Sequence, residues 1–207
     1  MRVAQIIRET DAEGPGCRFA VWVQGCPMRC RGCCNPTMLL ENSELPGVRW
    51  YGVAELLRGL AESAAEGVTL LGGEPFAQPA ALARFAEGAQ GLGRSVMIFT
   101  GFTLAELRAR RDPATEALLS ATDLLVDGRY DDTQRSTDRR FIGSANQVLH
   151  FLSSRYDPLD PRLHTQNHLE IRVRRDHITL NGWPIAGVGT AQRLLDGAAR
   201  RPRGQGS

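Results

Sequence analysis

The stretch "GCPMRCRGCCNP", residues 25–36, holds four of the five cysteines of this 207-residue chain, all between Cys26 and Cys34. Cys26, Cys30 and Cys33 have the spacing C-x3-C-x2-C. Clustered thiolates are soft ligands, suited to zinc or to iron-sulfur clusters, and the spacing leaves both open. A closed zinc site needs a fourth ligand nearby, yet the histidines, at 150, 164, 168 and 177, all lie more than a hundred residues downstream. Zinc would therefore rely on Cys34 or Cys17. Three thiolates on a [4Fe-4S] cluster instead leave one iron free to bind a small molecule, which is a catalytic arrangement. His164 and His168 stand four apart, as helical metal ligands can, but Pro161 and polar neighbours place them in a loop, and they are not read as ligands. Cys17, beside Arg18, is read as packing.

Composition bounds the chemistry. All 25 basic residues are arginine. Without a lysine amine, Schiff-base enzymes such as those using pyridoxal phosphate, and ordinary P-loop ATPases, are excluded. The net charge of +2 is too small to imply nucleic acid. No apolar run approaches the roughly 18 residues of a membrane span, and "MRVAQIIRETDAEGPG" has no sustained apolar core of a signal peptide. An odd cysteine count, crowded into one loop, argues against a disulfide framework, so a cytoplasmic protein is expected.

The elements that must position these residues follow from periodicity. "RFAVWVQG" leads into the cysteine loop as a first strand. "VAELLRGLAESAAEG" places Val53, Leu56, Leu57, Leu60 and Ala64 at helical spacing, and "VTLLGGEP" follows as a buried strand. Leu82, Phe85, Ala86 and Ala89 mark a second helix before "SVMIFTG". Thr103 with Glu106 forms a capping box, Asp112 and Pro113 suit the start of another helix, and "DLLVDG" is a further strand. Such alternation predicts a parallel sheet with right-handed crossovers, whose strand ends carry the active site. Gly72–Pro75, Thr100–Gly101 and Asp127–Gly128 fall at such ends, beside the cysteine loop. Residues 129–147 read as a solvated loop, a strand is expected around Val148–Leu152, and "HLEIRVRRDHITLNGWP" as a half-exposed antiparallel hairpin. One domain is expected over 1–198, with its core in about 14–153, and a disordered tail over 199–207.

These residues carry a family resemblance. "GPGCRFAVWVQGCPMRCRGCCNP" (14–36) resembles the radical S-adenosylmethionine enzymes, in particular the small activating enzymes of glycyl-radical proteins, and within these the activators of anaerobic (class III) ribonucleotide reductase. "TLLGGEPFAQ" (69–78) is similar to the family's GGEP loop, "IFTGFTLAEL" (98–107) to its YTGYTLEEL segment, and "LLVDGRY" and "IGSANQ" to its later landmarks. Five landmarks in order are far more specific than cysteine spacing, and they favour iron-sulfur over zinc.

The resemblance implies an open, partial (βα) barrel of about six units or fewer with the short C-terminal hairpin appended. It implies a [4Fe-4S] cluster on Cys26, Cys30 and Cys33, with S-adenosylmethionine chelating the open iron, and Glu74 receiving the ammonium group of that cofactor. Gly72 and Gly73 would let backbone approach the ligand. Gly32 and Cys34 would touch adenine through their backbone, although family members usually have an aromatic residue where Cys34 stands. Thr100, Asp127, Asn146 and Gln147 are further candidates for contact with cofactor ribose or substrate. The implied reaction is reductive cleavage of S-adenosylmethionine to methionine and a 5′-deoxyadenosyl radical, fed by a flavodoxin- or ferredoxin-type donor. That radical would take hydrogen from a glycine of a partner, anaerobic ribonucleotide reductase being the foremost. Radical chemistry on a small molecule or peptide, and a nonenzymatic iron-sulfur or zinc-stabilised binding protein, are the competing readings.

Overall fold

The computed structural model describes residues 1–41, 47–173 and 178–183. Among the described residues nine strands are formed: β1 (Arg2–Thr10), β2 (Arg18–Val23), β3 (Arg49–Trp50), β4 (Gly67–Gly72), β5 (Ser95–Phe99), β6 (Leu124–Asp127), β7 (Val148–Phe151), β8 (Leu169–Val173) and β9 (Ile178–Gly182). Four α-helices among the same residues connect them: α1 (Val53–Ala61), α2 (Pro79–Gly91), α3 (Leu104–Ala109) and α4 (Pro113–Ser120). The expected tail, residues 199–207, lies outside the described residues.

Seven strands form one sheet in the order β3-β1-β2-β4-β5-β6-β7. Only its centre is parallel: β2, β4, β5 and β6 run the same way, while β1 and β7 pair antiparallel to β2 and β6, and β3 antiparallel to β1. The sheet is thus mixed α/β, where sequence periodicity predicts a parallel one. The difference arises at the edges, where β1 joins β2 as an antiparallel hairpin with Thr10 opposite Arg18, β3 adds to β1, and β7 returns antiparallel to β6. β8 and β9 form a separate antiparallel pair, the predicted hairpin.

The central strands are apolar on both faces because both are covered. Phe19, Val21 and Val23 pack into one core with Leu56, Leu60, Leu82, Phe85, Leu107 and Leu118 from the helices. Ala20 and Trp22, which alternate with them, belong to the opposite face with Ile7 and Leu71. Helix boundaries follow local chemistry. Thr103 and Glu106 form the predicted capping box on α3. The Asp112 carboxylate accepts from Thr115 N at 2.9 Å with Pro113 in the first turn of α4.

The helix-free face is closed by residues 129–163. Phe141, Ile142 and Ser144 are buried there, against the solvated loop that polarity predicts, and Phe141 and Ile142 pack on Met97, Leu124 and Val126. Arg139 and Arg140 keep that segment polar in sequence while donating to carbonyls of Ala145, Gln147 and Asp11. Among the described residues no helix is long and apolar enough to cross a membrane.

Candidate functional site

The carboxyl ends of β2, β4, β5 and β6 open onto one cavity of about 390 Å³, within the usual size of a small-molecule site. The cysteine loop leaves β2 and is pinned at its start, where Gly25 N donates to Met38 O at 2.9 Å and Cys26 N to Leu39 O at 3.3 Å. A turn from Cys33 N to Cys30 O, 3.3 Å, holds the second and third cysteines together. Arg29, between the first two, has φ of 50°, a left-handed conformation uncommon for a residue with a side chain.

Cys26, Cys30, Cys33 and Cys34 all line the cavity. Burial pushes the thiols of Cys26 and Cys30 above the ordinary value. Cys33 is lowered to about 6 by a hydrogen bond from Cys34, which is correspondingly raised. Metal binding needs thiolates, and the Cys33–Cys34 contact favours one thiolate within that pair. Among the described residues no three His, Cys, Asp or Glu side chains are grouped to hold a single metal ion. A zinc ion, with Zn–S bonds of about 2.3 Å, would draw its sulfurs to within about 4.6 Å of one another, whereas a multi-iron cluster lets them stand further apart. Three thiols lining one cavity are the soft donor set that a [4Fe-4S] cluster takes.

The opposite wall comes from the loop after β4. Glu74 is buried, and its carboxylate accepts from Phe76 N and Thr100 Oγ1 at 2.8 Å each and from Gly101 N at 2.9 Å. Burial still raises its pKa above the ordinary carboxylate value, against the effect of those bonds. Three of about four acceptor positions are used, so Glu74 ties the loops after β4 and β5 together and keeps room for one more donor.

Gly72 and Gly73 serve a purpose the sequence reading does not foresee. A Cβ on Gly73 would stand 2.3 Å from Gly25 O, and one on Gly72, whose φ is +106°, 2.7 Å from Val23 N. Their close approach is to the root of the cysteine loop, which sets one cavity wall against the other. Glu74 N donates to Gly25 O at 2.9 Å across the same seam.

The cavity thus brings together Cys26, Cys30, Cys33, Cys34, Gly72, Gly73, Glu74 and Thr100. Gly32 and Asp127 do not line it. Gly32 stands against Tyr130 and Asp132, where an added Cβ would be 3.3 and 3.2 Å from their side chains. Asp127 is buried at the root of its loop, where its carboxylate accepts from Leu104 N at 2.6 Å and fixes the start of α3; His150 Nε2 of β7 lies 2.9 Å away without a hydrogen bond. Gln147 lines the cavity and buttresses it, accepting from Gly143 N and donating to Gly128 O, both at 2.9 Å, while Asn146 donates to Arg129 O. Cys17 packs against the helical core. His164 is exposed, near Pro158 O.

Sequence reasoning misses the cavity's third wall. Glu13, Asn167, Asn181 and Trp183 line it, brought there by the β8–β9 hairpin folding onto the end of β1. Thr10 Oγ1 donates to Glu170 Oε2 at 2.8 Å, Asn181 Nδ2 to Thr10 Oγ1 at 2.8 Å, and Gly182 N to Glu13 Oε1 at 2.6 Å. Burial raises Glu13 to about 7. The segment "AEGPG" holds a carboxylate next to the first landmark, which is the one local signal that could have drawn attention to Glu13.

The strand-end thiols and the glycine-acid loop facing them define a single-cluster iron-sulfur protein, and comparison agrees: a family model described as "4Fe-4S single cluster domain" matches residues 12–150. An anaerobic ribonucleoside-triphosphate reductase-activating protein of Vibrio cholerae serotype O1 is 34% identical over 146 residues, which are 66% of this chain and 89% of the relative. Those of Pasteurella multocida and of Enterobacteria phage T4 are 31% and 29% identical, over 72% and 66% of this chain and 97% and 85% of their own lengths. The chain belongs to the family of anaerobic ribonucleoside-triphosphate reductase-activating proteins, radical S-adenosylmethionine enzymes whose cofactors are a [4Fe-4S] cluster and S-adenosylmethionine.

Proposed function

We propose that this chain generates a glycyl radical on a partner protein, anaerobic ribonucleotide reductase being the first candidate, and that residues 1–198 act as one catalytic unit. The observation that carries this reading is the convergence on one cavity of Cys26, Cys30 and Cys33 from the end of β2 with Gly72–Glu74 and Thr100 from the ends of β4 and β5. Helices on one face of an open sheet and a cavity on the other support a partial (βα) barrel as the architecture.

Cys26, Cys30 and Cys33 would hold the cluster, leaving one iron for S-adenosylmethionine to chelate. Given one electron, that cofactor pair supplies methionine and a 5′-deoxyadenosyl radical. The remaining tasks belong to the chain. Glu74, fixed by Thr100, Gly101 and Phe76, offers its last acceptor position to the ammonium group. Trp22, Leu71 and Phe99 line the cavity with apolar surface that excludes water from a reactive radical. A flavodoxin- or ferredoxin-type protein is the proposed electron source.

Mixing the reduced, cluster-loaded protein with S-adenosylmethionine and the reductase should give a glycyl-radical signal by electron paramagnetic resonance, with 5′-deoxyadenosine released in step. Deoxyadenosine without a protein radical would redirect the reading to a small-molecule or peptide substrate. Neither product would exclude catalysis and leave an iron-sulfur carrier.

A further inference from the structure

Apart from Glu13, the third wall of the cavity is built by residues that lie past position 150, where the family model's match ends. Two buried side-chain atoms on it have no hydrogen-bond partner: Asn181 Oδ1 and Trp183 Nε1. The orientation of the Asn181 amide is settled by its surroundings, because Nδ2 donates to Thr10 Oγ1 at 2.8 Å and faces Glu170 Oε2 at 3.4 Å, and a reversed amide would put oxygen against carboxylate. Asn181 is 5% exposed. Buried polar groups are nearly always satisfied, so an orphan acceptor and an orphan donor two residues apart, both on a cavity wall, point to a ligand.

The segment between them is locked. Gly182 has φ of +97°, a Cβ there would stand 2.3 Å from His168 O, and its N–H is held by Glu13. Trp183 packs edge-on against Tyr130, ring centroids 5.8 Å apart, and an added Cβ on Gly143 would stand 3.3 Å from its ring. The wall is therefore preorganised and does not need to fold around its occupant.

We infer that Asn181 and Trp183 read the main chain of the substrate polypeptide, Asn181 Oδ1 accepting a backbone N–H and Trp183 Nε1 donating to a backbone carbonyl. A peptide segment carries both groups, and an extended one carries them at every residue. The cluster ligands and the glycine-acid loop that faces them fall within residues 12–150, so the cofactors have their grip without this wall. The inference rests on the proposed reading of the cavity as the place where a protein substrate presents its glycine. It goes further in assigning specificity to the C-terminal hairpin.

The test uses the full cluster-loaded chain and, as probe, a synthetic glycine-centred peptide from the anaerobic reductase, with binding measured by anaerobic calorimetry in the presence of S-adenosylmethionine. Trp183→Phe keeps an aromatic ring for the contact with Tyr130 while removing the indole N–H and its five-membered ring, a conservative change that should fold as the parent does. Its peptide Kd should rise about 3- to 10-fold, the usual worth of one neutral hydrogen bond. Asn181→Ala should do the same, with loss of its tie to Thr10. Unchanged peptide affinity in Trp183→Phe overturns the assignment. An equal or larger loss in S-adenosylmethionine affinity also overturns it, because the wall would then be reading the cofactor. Calorimetry needs no turnover, so failure of wild-type protein to release 5′-deoxyadenosine would count against the catalytic reading alone.

Discussion

At the amino ends of the central strands Arg18 is wholly out of solvent, yet every guanidinium nitrogen is hydrogen-bonded: Nε to Thr69 Oγ1 at 3.1 Å, Nη1 to Ser95 Oγ at 2.6 Å and Tyr156 OH at 3.1 Å, Nη2 to Val68 O at 2.5 Å and Ser95 O at 3.4 Å. The cavity that opens at the carboxyl ends of the same sheet and reaches back to the β1–β2 turn carries four thiols, a carboxylate raised to about 7 and two orphaned polar atoms. One end satisfies a full charge with neutral partners, and the other leaves small groups unsatisfied. Complete satisfaction at the first end stabilises the fold, while the deficits at the second are positions for ligands.

The contrast is broken most severely from the structural end. Arg18→Ala should cost about 3–5 kcal/mol in denaturant unfolding, since it strands acceptors packed around a buried cation. Cys26→Ala, Cys30→Ala or Cys33→Ala should abolish iron content and 5′-deoxyadenosine formation, yet change apoprotein stability by about 1 kcal/mol or less. A similar stability loss at both ends would erase the distinction.

Glu13 gives an intermediate effect that depends on pH. Its pKa is raised from 4.5 to about 7 by burial, with Glu170 adding repulsion and the Gly182 and Asn181 bonds opposing. The folded state therefore holds a proton that the unfolded state has released between those values, and stability falls as pH rises across that window. Glu13→Gln should flatten this slope and gain no more than about 3 kcal/mol at pH 8, as read from unfolding curves at several pH values. An unaltered slope would remove Glu13 as its source.

Smaller changes sharpen the assignment within the cavity. Glu74→Ala should retain the cluster and weaken S-adenosylmethionine about 10-fold, measured by equilibrium binding to reconstituted protein. Cys34→Ala should have the least effect, keeping full iron content; loss of the cluster there would mean that the ligand set is misassigned.

Much of the scaffold is legible in the sequence because its signals are local. The capping box at Thr103 and Glu106 spans three residues, and so does the Asp112 cap on Thr115. Runs such as "VTLLGG" read as buried strands wherever they sit. β1 escaped notice because its burial does not alternate cleanly, its ladder with β2 being broken by two register shifts, and the 129–147 segment misled because Phe141 and Ile142 are buried beneath arginines that reach back to carbonyls. Asp127 shows the same limit: a strand-end carboxylate is visible in sequence, but its commitment to Leu104 N is not.

By itself the sequence determined the cysteine spacing, the order of landmarks and the helix caps, all of which depend on neighbours a few residues apart. Tertiary structure alone decided that Gly73 stands against Gly25, that Glu74 is held by Thr100 and Gly101, and that Glu13 meets Gly182 across 169 residues of chain. Hydrogen bonds of that span leave no periodicity or local propensity to read. They exist only once the sheet has brought β1 and the C-terminal hairpin to the same edge of the cavity.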